Sequence, residues 1–196
     1  MSNSSRDKIL TAVKNNQPAA ENPPEPSTAA GIRYDDKPGQ FANTLKAIGG
    51  TVIEITSIKE IADYVLYSFS HPENFVTTIT ALDQVQMLDE KLDPHTLENI
   101  EVAILKAQFA VAENGAVWLT ERETKIRALP FICQHLAVLL DKKDIVNNMH
   151  EAYQLIGSDA YEFGVFIAGP SKTADIEQSL VLGAHGPKTM TVFVLA

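Results

Sequence analysis

The chain of 196 residues contains one cysteine, Cys133. One thiol forms no internal disulfide, and it cannot supply the ligand set of a structural zinc site or an iron–sulfur cluster. Basic residues are also few: 16 Lys and Arg against 25 Asp and Glu give a formal net charge of −9. That balance excludes the class of proteins that grip nucleic-acid phosphates through a basic face. No apolar run is long enough to span a membrane. The opening residues, MSNSSRDKILTAVKNNQ, lack a signal-peptide core, so the expected location is the cytoplasm. There is no HExxH motif and no dinucleotide fingerprint, so no metal and no cofactor are expected. Cys133 sits in the apolar run LPFICQHLAVLL and reads as a small buried hydrophobe, with a reactive thiol as the alternative.

What is present is a steady alternation of patterns. Residues 5–16 read as a short amphipathic helix with Ser5 as N-cap and Ile9, Leu10 and Val13 on one side. It is too short to be stable alone. Residues 17–31, rich in Pro, Ala and Glu, read as a linker, so the globular part is expected over 32–196. Phe41, Leu45 and Ile48 have helical spacing, stopped by Gly49-Gly50. Thr51 to Ile55 alternates as a strand. Ser57 and Glu60 suggest a capping box before the stripe Ile58, Ile61, Ala62, Val65, Leu66 and Phe69. Phe75 to Ile79 reads as a strand, and a helix is expected over much of 80–91. Residues 102–120 read as strand, tight Asn-Gly turn and strand. His135 to Leu140 is a further strand. Asp144 is expected to cap a helix with Ile145, Met149, Ala152, Tyr153 and Ile156 on its apolar face, ended by Gly157. Strands alternating with helices predict an α/β fold with a largely parallel sheet flanked by helices.

The last segment, FGVFIAGPSKTADIEQSLVLGAHGPKTMTVFVLA, carries the densest signal. It reads as strand, sharp turn, helix, sharp turn and strand, the size of a βαβ unit. In such a unit Ser171 or Thr173 caps a helix, with Asp175 and Glu177 favoured in its first turn by the helix dipole. The same geometry suits an anion, with Gly169, Ser171, Lys172, Thr173, Asp175, Glu177 and Gly186 as candidate ligand-binding residues. GPSKT lacks the upstream glycine of a P-loop, which excludes an ATPase. Glu113 interrupts an apolar segment before Asn-Gly. It is either a polar residue at an exposed hairpin end or a carboxylate available as nucleophile or base. His185, in its Gly-Ala-His-Gly-Pro turn, is the second candidate catalytic residue, as proton shuttle or anion contact. His135 is another possible shuttle. Glu113, Ser171, Thr173 and His185 are expected to line one pocket for an anion.

GPSKTADIE (169–177) followed by GAHGP (183–187) resembles the signature of the LUD-domain family, in its lactate utilisation protein C branch. The resemblance covers roughly 32–196. It departs at AENGAV, where the family shows an Ala-Glu-Thr-Gly-Thr-like motif. That variant is similar to the Glu-Asn-Gly motif of class I CoA transferases. The resemblance implies a NagB/RpiA/CoA-transferase-like fold. It further implies a non-redox component of a bacterial system oxidising L-lactate to pyruvate, whose partners are an iron–sulfur subunit and a cysteine-rich subunit. The competing implications are a stand-alone enzyme of CoA-transferase or sugar-phosphate isomerase type using Glu113, and a sensor of small anions.

Overall fold

The computed structural model describes residues 4–21, 31–157, 160–174 and 180–196. Helix α1 (Ser5–Asn15) is capped by Ser4, one residue earlier than expected. Asp7 stands three residues on, and its carboxylate returns a bond to the Ser4 N–H, so the reciprocal box selects Ser4. None of its side chains is buried, and Ile9, Leu10 and Val13 face solvent. Residues 17–21 carry no helix or strand. Deleting residues 1–30 should therefore leave a cooperatively folded domain. Thermal unfolding of the shortened chain checks this, and loss of its cooperative transition would show that α1 is integral.

Helix α2 (Lys37–Ala47) begins at Asp36, whose carboxylate accepts the Gly39 N–H. It ends as the glycine pair requires: Gly50 N–H reaches Leu45 O and Gly49 N–H reaches Lys46 O, the paired bonds of a Schellman motif. Strand β1 (Thr51–Ile55) leads to α3 (Lys59–Ser68), which buries Ile61, Ala62 and Val65. Each large apolar side chain so buried contributes about 1.5–3 kcal/mol. Half of the expected capping box forms, with the Glu60 carboxylate accepting the Thr56 and Ser57 N–H groups. Leu66 turns out to solvent.

Strand β2 (Phe75–Thr77) is shorter than read, because the Thr77 hydroxyl accepts the Ile79 N–H and folds the chain away. The helix expected over 80–91 is replaced by successive turns and β3 (Gln86–Met87). Leu82, Val85 and Leu88 are three apart and all buried. Bonds from Leu82 N–H to Ile79 O and Val85 N–H to Leu82 O satisfy that spacing without an α-helix. Then come β4 (Val102–Lys106), β5 (Phe109–Val111), β6 (Ala116–Thr120), α4 (Glu121–Thr124), α5 (Leu129–Ile132) and β7 (His135–Asp141). Ile145 belongs to β8 (Ile145–Val146), paired with Ala110 and Val111, and not to the following helix. Helix α6 (Met149–Ile156) is capped by Asn148 instead of Asp144.

The expected βαβ unit at the end of the chain is corrected. Strand β9 (Gly164–Ile167) belongs to a four-stranded sheet ordered β8-β5-β6-β9. Strand β12 (Thr189–Leu195) lies inside a six-stranded, wholly parallel sheet ordered β1-β12-β7-β4-β2-β3. Between them, β10 (Lys172–Ala174) pairs antiparallel with β11 (Leu180–Leu182), so the residues expected to open a helix at Ser171 to Thr173 lead into a strand, and residues 175–179 lie outside the described residues. The Ser171 N–H is taken by Pro187 O, so the backbone is committed to a turn.

The molecule stacks in layers. Helix α3 covers one face of the parallel sheet through Ile104, Ala137, Leu139 and Phe193. The opposite face, with Leu105, Leu136, Val138 and Val192, packs on α2 and on Ala110, Val117 and Leu119 of the smaller sheet. That sheet's outer face holds Phe109, Val111 and Trp118 against Ala152 and Ile156 of α6. This is an α/β fold with a mostly parallel central sheet. No described helix is long and apolar enough to cross a membrane.

Candidate functional site

Strand direction gathers several turns at one rim of the smaller sheet. The Glu113–Gly115 turn joins β5 to β6. Strand β9 runs antiparallel to β6, so the Gly169-Pro170 turn leaves beside it. Strand β8 runs parallel to β5, so the head of α6 emerges at the same rim. Both glycine turns rest on the end of α2. Gly115 has φ +71, and a Cβ there would stand 3.1 Å from the Leu45 backbone and 3.4 Å from Ile48. Gly169 has φ +74, and its Cβ would stand 3.0 Å from the Ile48 carbonyl oxygen. The Lys172 ammonium donates to that same carbonyl. A cation is favoured at this end of a helix, so Lys172 braces α2.

Glu113 is exposed, and its Oε2 accepts the Met149 N–H of α6 at 3.0 Å. Its own N–H reaches Asn147 O. A carboxylate at the head of a helix is favoured on physical grounds alone. Ser171 is joined to the 183–187 turn: Gly183 N–H donates to Ser171 O at 3.1 Å, and Gly186 packs on its Cβ. Thr173 lies in β10 opposite Val181. His185 is exposed. Asp175 and Glu177 lie outside the described residues. The fold therefore brings the turn at Gly169–Lys172 together with the turn at Gly183–Pro187, and both turns at Gly115 and Gly169 onto Ile48. No described hydrogen bond joins the Glu113 carboxylate to Ser171, Thr173 or His185.

A second cluster lies at the amino edge of the parallel sheet. Register places Val102, His135 and Thr189 side by side on three adjacent strands. His135 Nδ1 meets Thr189 Oγ1 at 2.8 Å, and its ring lies on Phe69 with centroids 4.3 Å apart. Lys188 precedes Thr189, and its N–H donates to Gln134 O at 2.7 Å. Glu101 precedes β4, and its Oε2 is buried without a hydrogen-bond partner among the described residues. Burial holds the His135 imidazole below its usual range. The Glu101 charge opposes this and the Lys188 charge adds to it. The sequence signals only that polar residues open two apolar strands. Their adjacency comes from strand order.

The carboxyl edge of the same sheet has its own polar network, which sequence reading missed. The Thr78 hydroxyl donates to Glu123 O, and Gln108 reaches both Thr120 and Glu123. Lys106 pairs with Asp141 at 2.8 Å. Lys125, at φ +60, sits in a tight turn after the fully buried Thr124.

Cys133 is buried, and burial pushes its thiol up to about 12. It packs as a small hydrophobe, as the apolar run around it implies. The folded protein should resist iodoacetamide at pH 8 and react once unfolded, as the thiolate is the nucleophile. Rapid alkylation of the native chain, followed by intact mass, would contradict this.

A family model for the LUD domain matches residues 82–195, well over half of the chain. Lactate utilization protein C of Geobacillus thermodenitrificans is 27% identical over 163 residues, covering 80% of this chain and 68% of that protein. The protein of the same name from Geobacillus kaustophilus is 33% identical over 104 residues, covering 50% and 43%. The match thus spans under half the length of that second relative. Among solved structures, a DUF162 family protein from Deinococcus radiodurans superposes with a TM-score of 0.64 at 16% identity, over 84% of this chain and 99% of that one. At that identity the likeness shows the fold. With the family model matched over most of the layered domain, the chain belongs to the LUD-domain family.

Proposed function

We propose that the chain serves lactate utilisation in the cytoplasm, as a non-redox component of a system that oxidises L-lactate to pyruvate with iron–sulfur and cysteine-rich partner subunits. The observation that carries this reading is the match to several relatives named lactate utilization protein C. The state of Cys133 supports the division of labour. One buried thiol held protonated does not make a cluster's ligand set, which fits a chain that works beside iron–sulfur partners. A small anionic ligand would meet the joined turns at Ser171, Thr173, Gly186 and His185, beside the Lys172 ammonium that holds the Ile48 carbonyl. The experiment is deletion of the gene in its native host, with complementation by a tagged copy. Growth on L-lactate should fail and be restored, and the tagged chain should retain iron-containing proteins after anaerobic purification. Normal growth of the deletion strain on lactate would overturn the reading.

The rim position of Glu113 favours one other reading, a self-sufficient acyl-CoA transferase or isomerase with that carboxylate as nucleophile or base. Glu113→Gln decides between them. Amide oxygen can still accept the Met149 N–H, so stability should change by less than about 1 kcal/mol. As a partner subunit the variant should support growth on lactate as the parent does. Turnover of an acyl-CoA by the isolated parent chain, lost in Glu113→Gln, would establish the enzyme reading instead.

A further inference from the structure

We propose that His135, Thr189 and Lys188 form a binding site for a small 2-hydroxy or 2-oxo carboxylate at the amino edge of the parallel sheet. This rests on the lactate reading and names where such an acid is held. The starting observation is geometric. Strands β4, β7 and β12 begin level with one another, and polar residues stand at or just before those starts: Glu101 before β4, His135 opening β7, and Lys188 and Thr189 at the start of β12. Three backbone bonds lock that level: Gln134 N–H to Ile100 O, His135 N–H to Glu101 O, and Lys188 N–H to Gln134 O.

The His135–Thr189 contact has a property suited to such an acid. A hydroxyl both donates and accepts. When the Thr189 O–H donates to Nδ1, the proton of the neutral ring is on Nε2, which then donates to a 2-oxo oxygen. When Nδ1–H donates to Thr189 Oγ1, Nε2 is a lone pair that accepts from a 2-hydroxyl. Rotation of the hydroxyl, together with exchange of the ring proton between Nε2 and Nδ1 through solvent, lets the ring serve either member of the pair. No described residue bonds Nε2, and the half-buried ring rests against Phe69 at an interplanar angle of 32°. A neutral ring is required for both tautomers. Burial supplies that by holding the imidazole below its usual range, with Lys188 in the same direction and Glu101 against.

Lys188 provides the cation for the carboxylate. Its stem crosses Gly183, where a Cβ would stand 2.4 Å from Lys188 Cγ. The turn that carries Gly183 is itself tied to Ser171 at both ends, through Gly183 N–H to Ser171 O and Ser171 N–H to Pro187 O. The two glycine-rich segments that stand out in the sequence thus act as the brace that presents Lys188 and Thr189. Glu101 lies at the back of the cluster. Glu101 and Lys188 act on the His135 ring in opposite directions, so an acid seats its carboxylate toward Lys188 and away from Glu101.

The test is titration of the isotope-labelled full chain with L-lactate and with pyruvate, followed by amide and histidine ring resonances. Propionate, of the same length without the 2-oxygen, is the control. The expected result is saturable shifts at His135, Lys188 and Thr189 with both acids, and weaker binding of propionate. Lys188→Ala should weaken binding at least about ten-fold through loss of a charge-assisted contact. Thr189→Val should weaken it and Thr189→Ser should restore it, a pattern that general loss of packing would not give. Thr189 is exposed, so these variants should fold. Absence of shifts at the three residues, or equal response to propionate, overturns the site. If growth on lactate needs the chain but His135→Gln grows as the parent does and the shifts are absent, this site alone fails. If the deletion strain grows normally on lactate, the functional reading fails with it.

Discussion

Gly169→Ala should destabilise the domain by about 2–4 kcal/mol, one of the two largest effects expected of a single conservative change here. Two costs add. A residue with a Cβ loses roughly 1–2 kcal/mol in the left-handed region, and Gly169 has φ +74. The new Cβ also stands 3.0 Å from Ile48 O and 3.1 Å from Ile48 Cγ1. Ile48 cannot retreat easily. Gly115 and the Leu45 backbone close its other side, and Lys172 holds its carbonyl. Overpacking of this kind costs roughly 1–3 kcal/mol. For a chain of this size each kcal/mol moves Tm by about 2–4 °C, so a fall of roughly 5–15 °C is expected. Repeating the change in an Ile48→Ala background separates the costs. Removing the side chain should recover roughly 1 kcal/mol as coupling between neighbours. A Tm unchanged by Gly169→Ala would show that the turn relaxes freely and braces nothing.

How much of this is legible in the sequence depends on whether a signal is local. The α2 stop at Gly49-Gly50, the α3 stripe, the Asn-Gly hairpin and β7 are each written in one stretch of chain, and each is found there. Sheet membership is not local. Val165 to Ala168 and Val192 to Leu195 are both apolar runs, and a buried strand reads the same whichever neighbour it pairs with. Only the pairings of β9 with β6 and of β12 with β7 put them in separate sheets. The stretch Ser171 to Ala174 differs from the expectation for a related reason. Hydroxyl residues after Gly-Pro suit a helix start and a strand start equally well, and the pairing of Lys172–Ala174 with Leu180–Leu182 decides for the strand, while Asp175 and Glu177 lie outside the described residues. The contact between His135 and Thr189 spans 54 positions. The individual residues were visible, but strand order brings them together.

Asn148→Ala should cost about 2–4 kcal/mol, since one buried amide closes two connections. Its Oδ1 accepts the Glu151 N–H at 3.0 Å, capping α6. Its Nδ2 donates to Ile32 O at 2.9 Å, fastening the start of the globular chain. Asn148 is 1% exposed, so water cannot readily replace either bond. Loss of a cap costs about 1–2 kcal/mol, and a stranded buried group about 1–3. Helix α6 has eight residues and cannot hold itself together. Its first-turn donors are met by two side chains, Met149 N–H by Glu113 from the β5–β6 turn and Glu151 N–H by its own cap, Asn148. The Glu151 carboxylate in turn holds Asn147, whose Oδ1 accepts the Tyr34 N–H. The substitution should therefore loosen α6 and residues 31–34 together. Hydrogen exchange checks this. Asn148→Asp keeps the cap but replaces the donor to Ile32 by an acceptor, so it should protect α6 while leaving 31–34 exposed. If Asn148→Ala speeds exchange uniformly through the parallel sheet, with no local excess in α6, the amide acts on global stability alone and the two connections are not independent.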